Sequence, residues 1–269
     1  MRKLAGLILV CFTLLIIGCN LAPGRINQIG SSGGGSITPF NGNFGFTATS
    51  QVTSTVFVFG GPLQAAANGS VTGTMHVSGS GCFNPQTDVV PFTGTISSAG
   101  AFTVTSTAVN TQVVNFTATI SADGTSITAG TFTITGGCGT AEHGTLTGFE
   151  VTSMTASYTG NFTSGTTVIS VVSSALTQAT TANAQGQFPL TGTLLFSSST
   201  CGLSSATIQS ATAAGTLVNM VLAGNDGLST ITFSGQATDG TAKTIVGTFS
   251  ISGVGTCGGF AGSASLSHP

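Results

Sequence analysis

Charge is what this sequence has least of. Its 269 residues include four Lys and Arg, six Asp and Glu, and three His. Tryptophan is absent and tyrosine occurs once, as Tyr158. A nucleic-acid binder needs a basic patch to displace counterions, and so few scattered cations cannot make one, so nucleic acid is excluded as a partner. General acid–base catalysis needs titratable groups gathered in a cleft, and six dispersed acids make that improbable. Missing Trp and near-missing Tyr remove the girdles of an outer-membrane pore and the usual stacking platforms for sugars. After residue 19 no apolar run approaches the roughly 20 residues of a spanning helix.

The amino terminus is different in character. Met1-Arg2-Lys3 precedes an apolar run over residues 4–17, which ends Leu15-Ile16-Ile17-Gly18-Cys19. A cationic start before a short apolar segment is the layout of an export signal, and this run is too short for a permanent span. Aliphatic residues and a small residue before a cysteine resemble the lipobox of bacterial lipoprotein precursors. The resemblance covers residues 1–20 and implies three things. Residues 1–18 are a signal peptide, Cys19 is acylated and becomes the new amino terminus, and the chain is held to a membrane. Two or three acyl chains such as palmitate, at roughly 0.8 kcal/mol per buried methylene, anchor stably. Asn20, in place of aspartate, implies the outer membrane by the enterobacterial sorting rule, so the expected location is the cell envelope. Residues 19–40 carry Gly33-Gly34-Gly35, serines and two prolines without apolar period, as a flexible tether does. Beyond residue 18 two basic residues, Arg25 and Lys243, face six acidic ones, a formal charge of −4.

Four cysteines remain after Cys11 and Cys19. Cys82 and Cys138 lie 56 apart, Cys201 and Cys257 also lie 56 apart, and the sets are offset by 119. Other features repeat at nearly that offset. Gly42-Asn43-Phe44 matches Gly160-Asn161-Phe162, Thr72-Gly73-Thr74 matches Thr191-Gly192-Thr193, and Gly130-Thr131-Phe132 matches Gly247-Thr248-Phe249. These ordered matches mark an internal duplication, with units over 41–152 and 153–269. Four cysteines allow three pairings, but equivalent units should use equivalent bonds, which predicts Cys82–Cys138 and Cys201–Cys257 in an oxidising compartment. Each bond closes a loop worth roughly 4 kcal/mol by chain entropy. Zinc sites bring cysteines in close pairs, and none of these is close to another.

Within each unit the hydrophobic period is two. Val114-Asn115-Phe116-Thr117-Ala118-Thr119-Ile120 alternates strictly, as do Thr131-Phe132-Thr133-Ile134-Thr135 and Thr248-Phe249-Ser250-Ile251. Alternation rich in β-branched residues marks strands with one buried and one wet face, and Asp-Gly and Asn-Gly pairs supply the turns. Eight strands are expected in the first unit, near 43–49, 53–59, 71–78, 92–97, 101–107, 112–120, 128–135 and 144–151. Eight more are expected near 158–163, 166–177, 188–196, 204–210, 216–222, 228–234, 243–251 and 260–266. The fold class is all-β, two tandem antiparallel meanders. Closure into barrels removes exposed edges, and a two-sheet sandwich is the alternative.

No catalytic residues, metal ligands or cofactor site can be assembled. His76 falls on the polar side of its strand, which directs it to solvent. Glu142-His143 is the single acid–base neighbourhood, without a counterpart after Cys257, and reads as a polar loop. His268 lies in the tail. Asp123 and Asp239 occupy matching positions, and an Asp-Gly turn explains both without calcium, which wants six to eight oxygen ligands. Threonine rows at 103, 105, 107 and at 131, 133, 135 are similar to ice-binding arrays, whose faces are flat where sheets twist. The expected function is a membrane-anchored, non-catalytic structural or interaction module of the envelope. The alternative is a lipocalin-like protein holding a small apolar ligand in a barrel.

Overall fold

The computed structural model describes residues 37–137, 141–197, 202–253 and 258–269. Sixteen strands make up most of it. The first eight are β1 (Phe40–Ser50), β2 (Val56–Ala65), β3 (Ser70–Ser78), β4 (Val90–Ile96), β5 (Ala101–Ser106), β6 (Gln112–Ile120), β7 (Ser126–Gly136) and β8 (Glu142–Glu150). The second eight are β9 (Ala156–Ser164), β10 (Thr167–Gln178), β11 (Phe188–Phe196), β12 (Ser205–Ala214), β13 (Leu217–Gly224), β14 (Thr230–Ala237), β15 (Thr244–Ser252) and β16 (Ala261–Ser267).

Each set is an antiparallel meander closed into a barrel. In the first, β1 returns to β8 with Phe44 opposite Glu150 and Ser50 opposite Gly144. In the second, β16 pairs with β9 from Ser263 opposite Thr163 to Ser267 opposite Thr159. These closing ladders decide for barrels over sandwiches, and they leave neither sheet with a free edge.

The alternation of the sequence becomes the inside and outside of each barrel. Along β5, Phe102, Val104 and Ser106 are buried while Thr103 and Thr105 are exposed. Inside the first barrel Phe116 is the hub, its ring centroid 5.4 Å from Phe46, 5.0 Å from Phe59 and 5.1 Å from Phe92. In the second, Phe162 holds that place, 4.9 Å from Phe249, 6.2 Å from Phe196 and 6.4 Å from Phe233. Burying each such ring stabilises by roughly 2–3 kcal/mol before entropy is counted. Tyr158, wholly buried, donates its hydroxyl to Ala242 O at 2.8 Å.

Two boundaries differ from expectation. Packing begins at Ile37, within the stretch assigned to the tether, because Ile37 is buried in the first core and its N–H bonds Ala67 O. Strand β2 runs on through Gly60-Gly61-Pro62, which reads as a strand end in sequence. Pairing with β1 is continuous there, while the ladder to β3 lapses between Gly60 opposite His76 and Leu63 opposite Gly73. Pro62 has no N–H to contribute to that ladder.

Candidate functional site

The two barrels are docked, and a cleft opens between them. The turn joining β12 and β13 presses on the outer face of β1 and β2. Asn43, buried, donates from Nδ2 to Gly215 O (3.2 Å) and accepts from Gly215 N at Oδ1 (2.6 Å). A Cβ at Gly60 would stand 1.9 Å from Ala214 O, so only glycine lets the two backbones approach this closely.

The connecting residues 151–155 are held along their length. Val151 N donates to Asn43 O, Thr152 N to Gly240 O, and Thr152 Oγ1 to Thr241 O (2.7 Å). Met154 N donates to Gln178 Oε1 (3.0 Å). The side chains of Val151 and Met154 complete the core of the second barrel. A linker that supplies core residues and hydrogen bonds to both sides is a clamp rather than a hinge.

His76 is a third contact, and the solvent-facing expectation for it is corrected here. Its side chain does point out of its barrel, but it is only 1 % exposed. The loop over residues 179–187 from the second barrel covers it. Its Nδ1 lies 3.1 Å from Pro85 O and its Nε2 lies 3.0 Å from Gln185 O across the interface. A neutral imidazole donates through one nitrogen only, whereas an imidazolium donates to both carbonyls. The matching position in the second unit is Leu195, which is exposed, so the duplication gives no hint of this contact.

Beside this interface opens a cleft of about 530 Å³. The first barrel contributes Asn41 and Gly42 from β1, Gln64 from β2 and Glu150 from the end of β8. The second contributes residues 179–182 and Phe188, and the linker runs along the floor. Glu150 N donates to Thr125 O, and its half-buried carboxyl lies over Gly42 on the same face as Phe44, its partner in the β1–β8 ladder. Burial pushes its carboxyl up from the ordinary carboxylate value, and the negative charge of Asp123 adds to that rise. A second cavity between the barrels, of about 330 Å³, is bordered by Pro85, Leu217 and Val246.

The other polar residues singled out in the sequence serve the fold. Glu142 accepts hydrogen bonds from Ser50 Oγ and from Thr53 Oγ1 (3.1 Å), fastening the turn between β1 and β2. His143 beside it is exposed. The His268 ring stands edge-on to Tyr158 at 4.8 Å. Asp123 accepts from Ser121 Oγ (2.5 Å) and Thr125 N, and Asp239 accepts from Thr241 Oγ1 (2.6 Å) and Thr241 N. Those side-chain hydroxyls hold both carboxyls below their ordinary value. Among the described residues no three His, Cys, Asp or Glu side chains gather to hold a metal.

The threonine rows form an arc around the first barrel. Thr95, Thr103, Thr117, Thr131, Thr145 and Thr49 are successive partners across β4, β5, β6, β7, β8 and β1, all exposed. The closed barrel curves that arc, so no flat two-dimensional array results.

Cys82 is disulfide-bonded. Its loop is tied down by Asn110 Nδ2, which donates to Cys82 O (2.9 Å) and to Asp88 Oδ2 (2.7 Å). Cys138, Cys201 and Cys257 lie outside the described residues, as do Cys19, the expected signal segment and most of the expected tether. No family model, curated protein or solved structure matches this chain.

Proposed function

We propose that the chain is a lipid-anchored protein of the bacterial cell envelope, in which the paired barrels act as a non-catalytic interaction module. The observation that carries the module reading is the filling of both barrels. The space that a lipocalin-like protein keeps for a small apolar ligand is taken here by Phe46, Phe59, Phe92 and Phe116 in one barrel. In the other it is taken by Phe162, Phe196, Phe233 and Phe249. Recognition then falls to the outer surface and to the cleft between the barrels.

The anchor rests on the cationic start, the short apolar run and Cys19 at its end. The outer membrane and the pairs Cys82–Cys138 and Cys201–Cys257 belong to the same reading, since both need export to an oxidising compartment. Native mass spectrometry after mild extraction tests both halves. The expected mass is that of polypeptide cut before Cys19 plus acyl chains, with no stoichiometric apolar ligand inside. A retained apolar ligand that survives delipidation overturns the module. An unchanged mass and unchanged membrane attachment in Cys19→Ser overturn the anchor.

A further inference from the structure

We infer that His76 is a protonation-dependent latch, which fastens the loop over residues 179–187 to the first barrel and so sets one wall of the cleft. The inference goes beyond the module reading and does not depend on the anchor.

Both groups that the imidazole touches are carbonyl oxygens, Pro85 O at 3.1 Å from Nδ1 and Gln185 O at 3.0 Å from Nε2. Neither can donate a hydrogen bond. A neutral imidazole carries one N–H and one lone pair, so in either tautomer a lone pair is aimed at an oxygen. The imidazolium carries two N–H groups and donates to both carbonyls. That is the form this pair of partners fits.

The carbonyls are not free to turn away. On the second barrel, Asn183 Oδ1 accepts from Gln185 N (3.0 Å) and from Gln187 N (2.9 Å). Gly186 N donates to Asn183 O (3.0 Å), and Asn183 N donates to Gln187 O (2.7 Å). This closed turn presses on β3, since a Cβ at Gly186 would stand 2.6 Å from Thr74 Cγ2. On the first barrel, Asn84 N donates to Asp88 Oδ2 (2.9 Å) and Asp88 N donates to Asn84 O (2.9 Å), a turn that encloses Pro85. Phe83 roots that loop in the first core, and Cys82 is disulfide-bonded. With both acceptors fixed, a second proton on the ring is what removes the mismatch.

Burial by itself disfavours a charge on the ring, which is 1 % exposed. Two charge-assisted hydrogen bonds oppose that cost. Among the described residues, Asp88 is the one titratable group on the segments packed against His76, and its carboxylate has the sign that favours a cation. Strands β2 and β4, residues 179–187 and residues 214–217 carry none. The latched loop thus holds a proton that the released loop gives up. The latch weakens as pH rises through the range of an ordinary imidazole, about 6.5. The barrels stay joined through Asn43, Gly215 and residues 151–155, none of which titrates there. What moves is the loop, whose residues 179–182 line the cleft.

The test is a long-range 1H–15N spectrum of the imidazole rings in the lipid-free chain (Cys19→Ser), with amide exchange of residues 179–187, from about pH 5 to about pH 8. The chain has three histidines, and the resonances missing from His76→Gln identify this ring. Two protonated nitrogens are expected on His76 at the low end and one at the high end. Opening of the loop, corrected for the intrinsic pH dependence of exchange, is expected to be at least tenfold more frequent at the high end. Tenfold is about 1.4 kcal/mol, the difference between a charged and a neutral hydrogen bond. His143→Gln, at an exposed ring, should keep this step, and His76→Gln should abolish it. A His76 ring with one protonated nitrogen throughout, equal loop opening at both ends, or a step that survives in His76→Gln overturns the latch. The first two outcomes need no variant, so they decide the matter even where a variant fails to fold.

Discussion

A single methyl group at position 60 should separate the barrels without unfolding either. An alanine Cβ there would lie 1.9 Å from Ala214 O, 2.6 Å from Ala214 C and 3.0 Å from Gly215 Cα. All three atoms are backbone in the opposite barrel, so no side-chain rotation relieves the overlap. A carbon–oxygen contact relaxes at roughly 3.3 Å, so the β12–β13 turn must retreat by about 1.4 Å. That retreat breaks the paired hydrogen bonds between Asn43 and Gly215, now 2.6 and 3.2 Å. Two lost bonds at about 1 kcal/mol each, with overpacking of about 1–3 kcal/mol, weaken docking by roughly 3–5 kcal/mol. Neither barrel loses a ladder bond, since Gly60 keeps its partners Gly45 and His76. Calorimetry should show one cooperative transition for the native chain and two for Gly60→Ala, with an increased radius of gyration in solution scattering. Gly81→Ala, where a Cβ meets nothing within 4 Å, is the matched control. If Gly60→Ala unfolds and scatters as the native chain does, the backbone contact is not what joins the barrels.

Three further changes probe the interior and the cleft. Phe116→Ala removes the ring that touches Phe46, Phe59 and Phe92 and should cost about 3–5 kcal/mol in urea unfolding, a loss under 1 kcal/mol being incompatible with a filled barrel. Tyr158→Phe should cost about 1–2 kcal/mol by orphaning Ala242 O. Burial pushes the Tyr158 hydroxyl up to about 12, and as the sole tyrosine it can be followed by ultraviolet absorbance alone. Because its folded value exceeds the ordinary 10.0, the folded chain holds this proton longer, and stability should fall as pH climbs from 10.0 towards 12. Glu150 obeys the same sign. Its raised carboxyl keeps the proton in the folded chain after the unfolded chain has released it, so stability drops as pH rises from 4.5 through the folded value. Glu150→Gln should lack that drop, a difference under about 1 kcal/mol because solvent still reaches the side chain, read from urea midpoints across pH.

The strands were legible because alternation is a local signal. Each of the sixteen expected segments overlaps one strand, although the one expected at 53–59 begins at Val56 and runs to Ala65, and the duplication separated the two barrels. Barrel closure was expected from the need to remove exposed edges, with a sandwich as the alternative, because the β1–β8 ladder that decides it joins residues about a hundred positions apart and leaves no mark in either strand. The contacts between barrels were hidden by the duplication itself. Asn43 and Asn161 occupy matching positions, yet one is buried against Gly215 and the other is exposed. Alternation correctly turned His76 outward, but outward is not solvent where a second barrel lies. Gly60-Gly61-Pro62 reads as a break, whereas its first glycine provides room for the neighbouring turn. The cleft carries no motif, because it exists only once the barrels have docked.

The central claim is that two filled barrels move as one body and thereby hold the cleft open between them. Backbone 15N relaxation of the lipid-free chain tests it most directly. The account predicts one rotational correlation time shared by β1–β8 and β9–β16, of the size expected for the whole chain, with residues 151–155 as rigid as the strands. Two different, shorter correlation times with a mobile 151–155 segment would contradict it, because barrels that tumble separately cannot maintain a shared cleft.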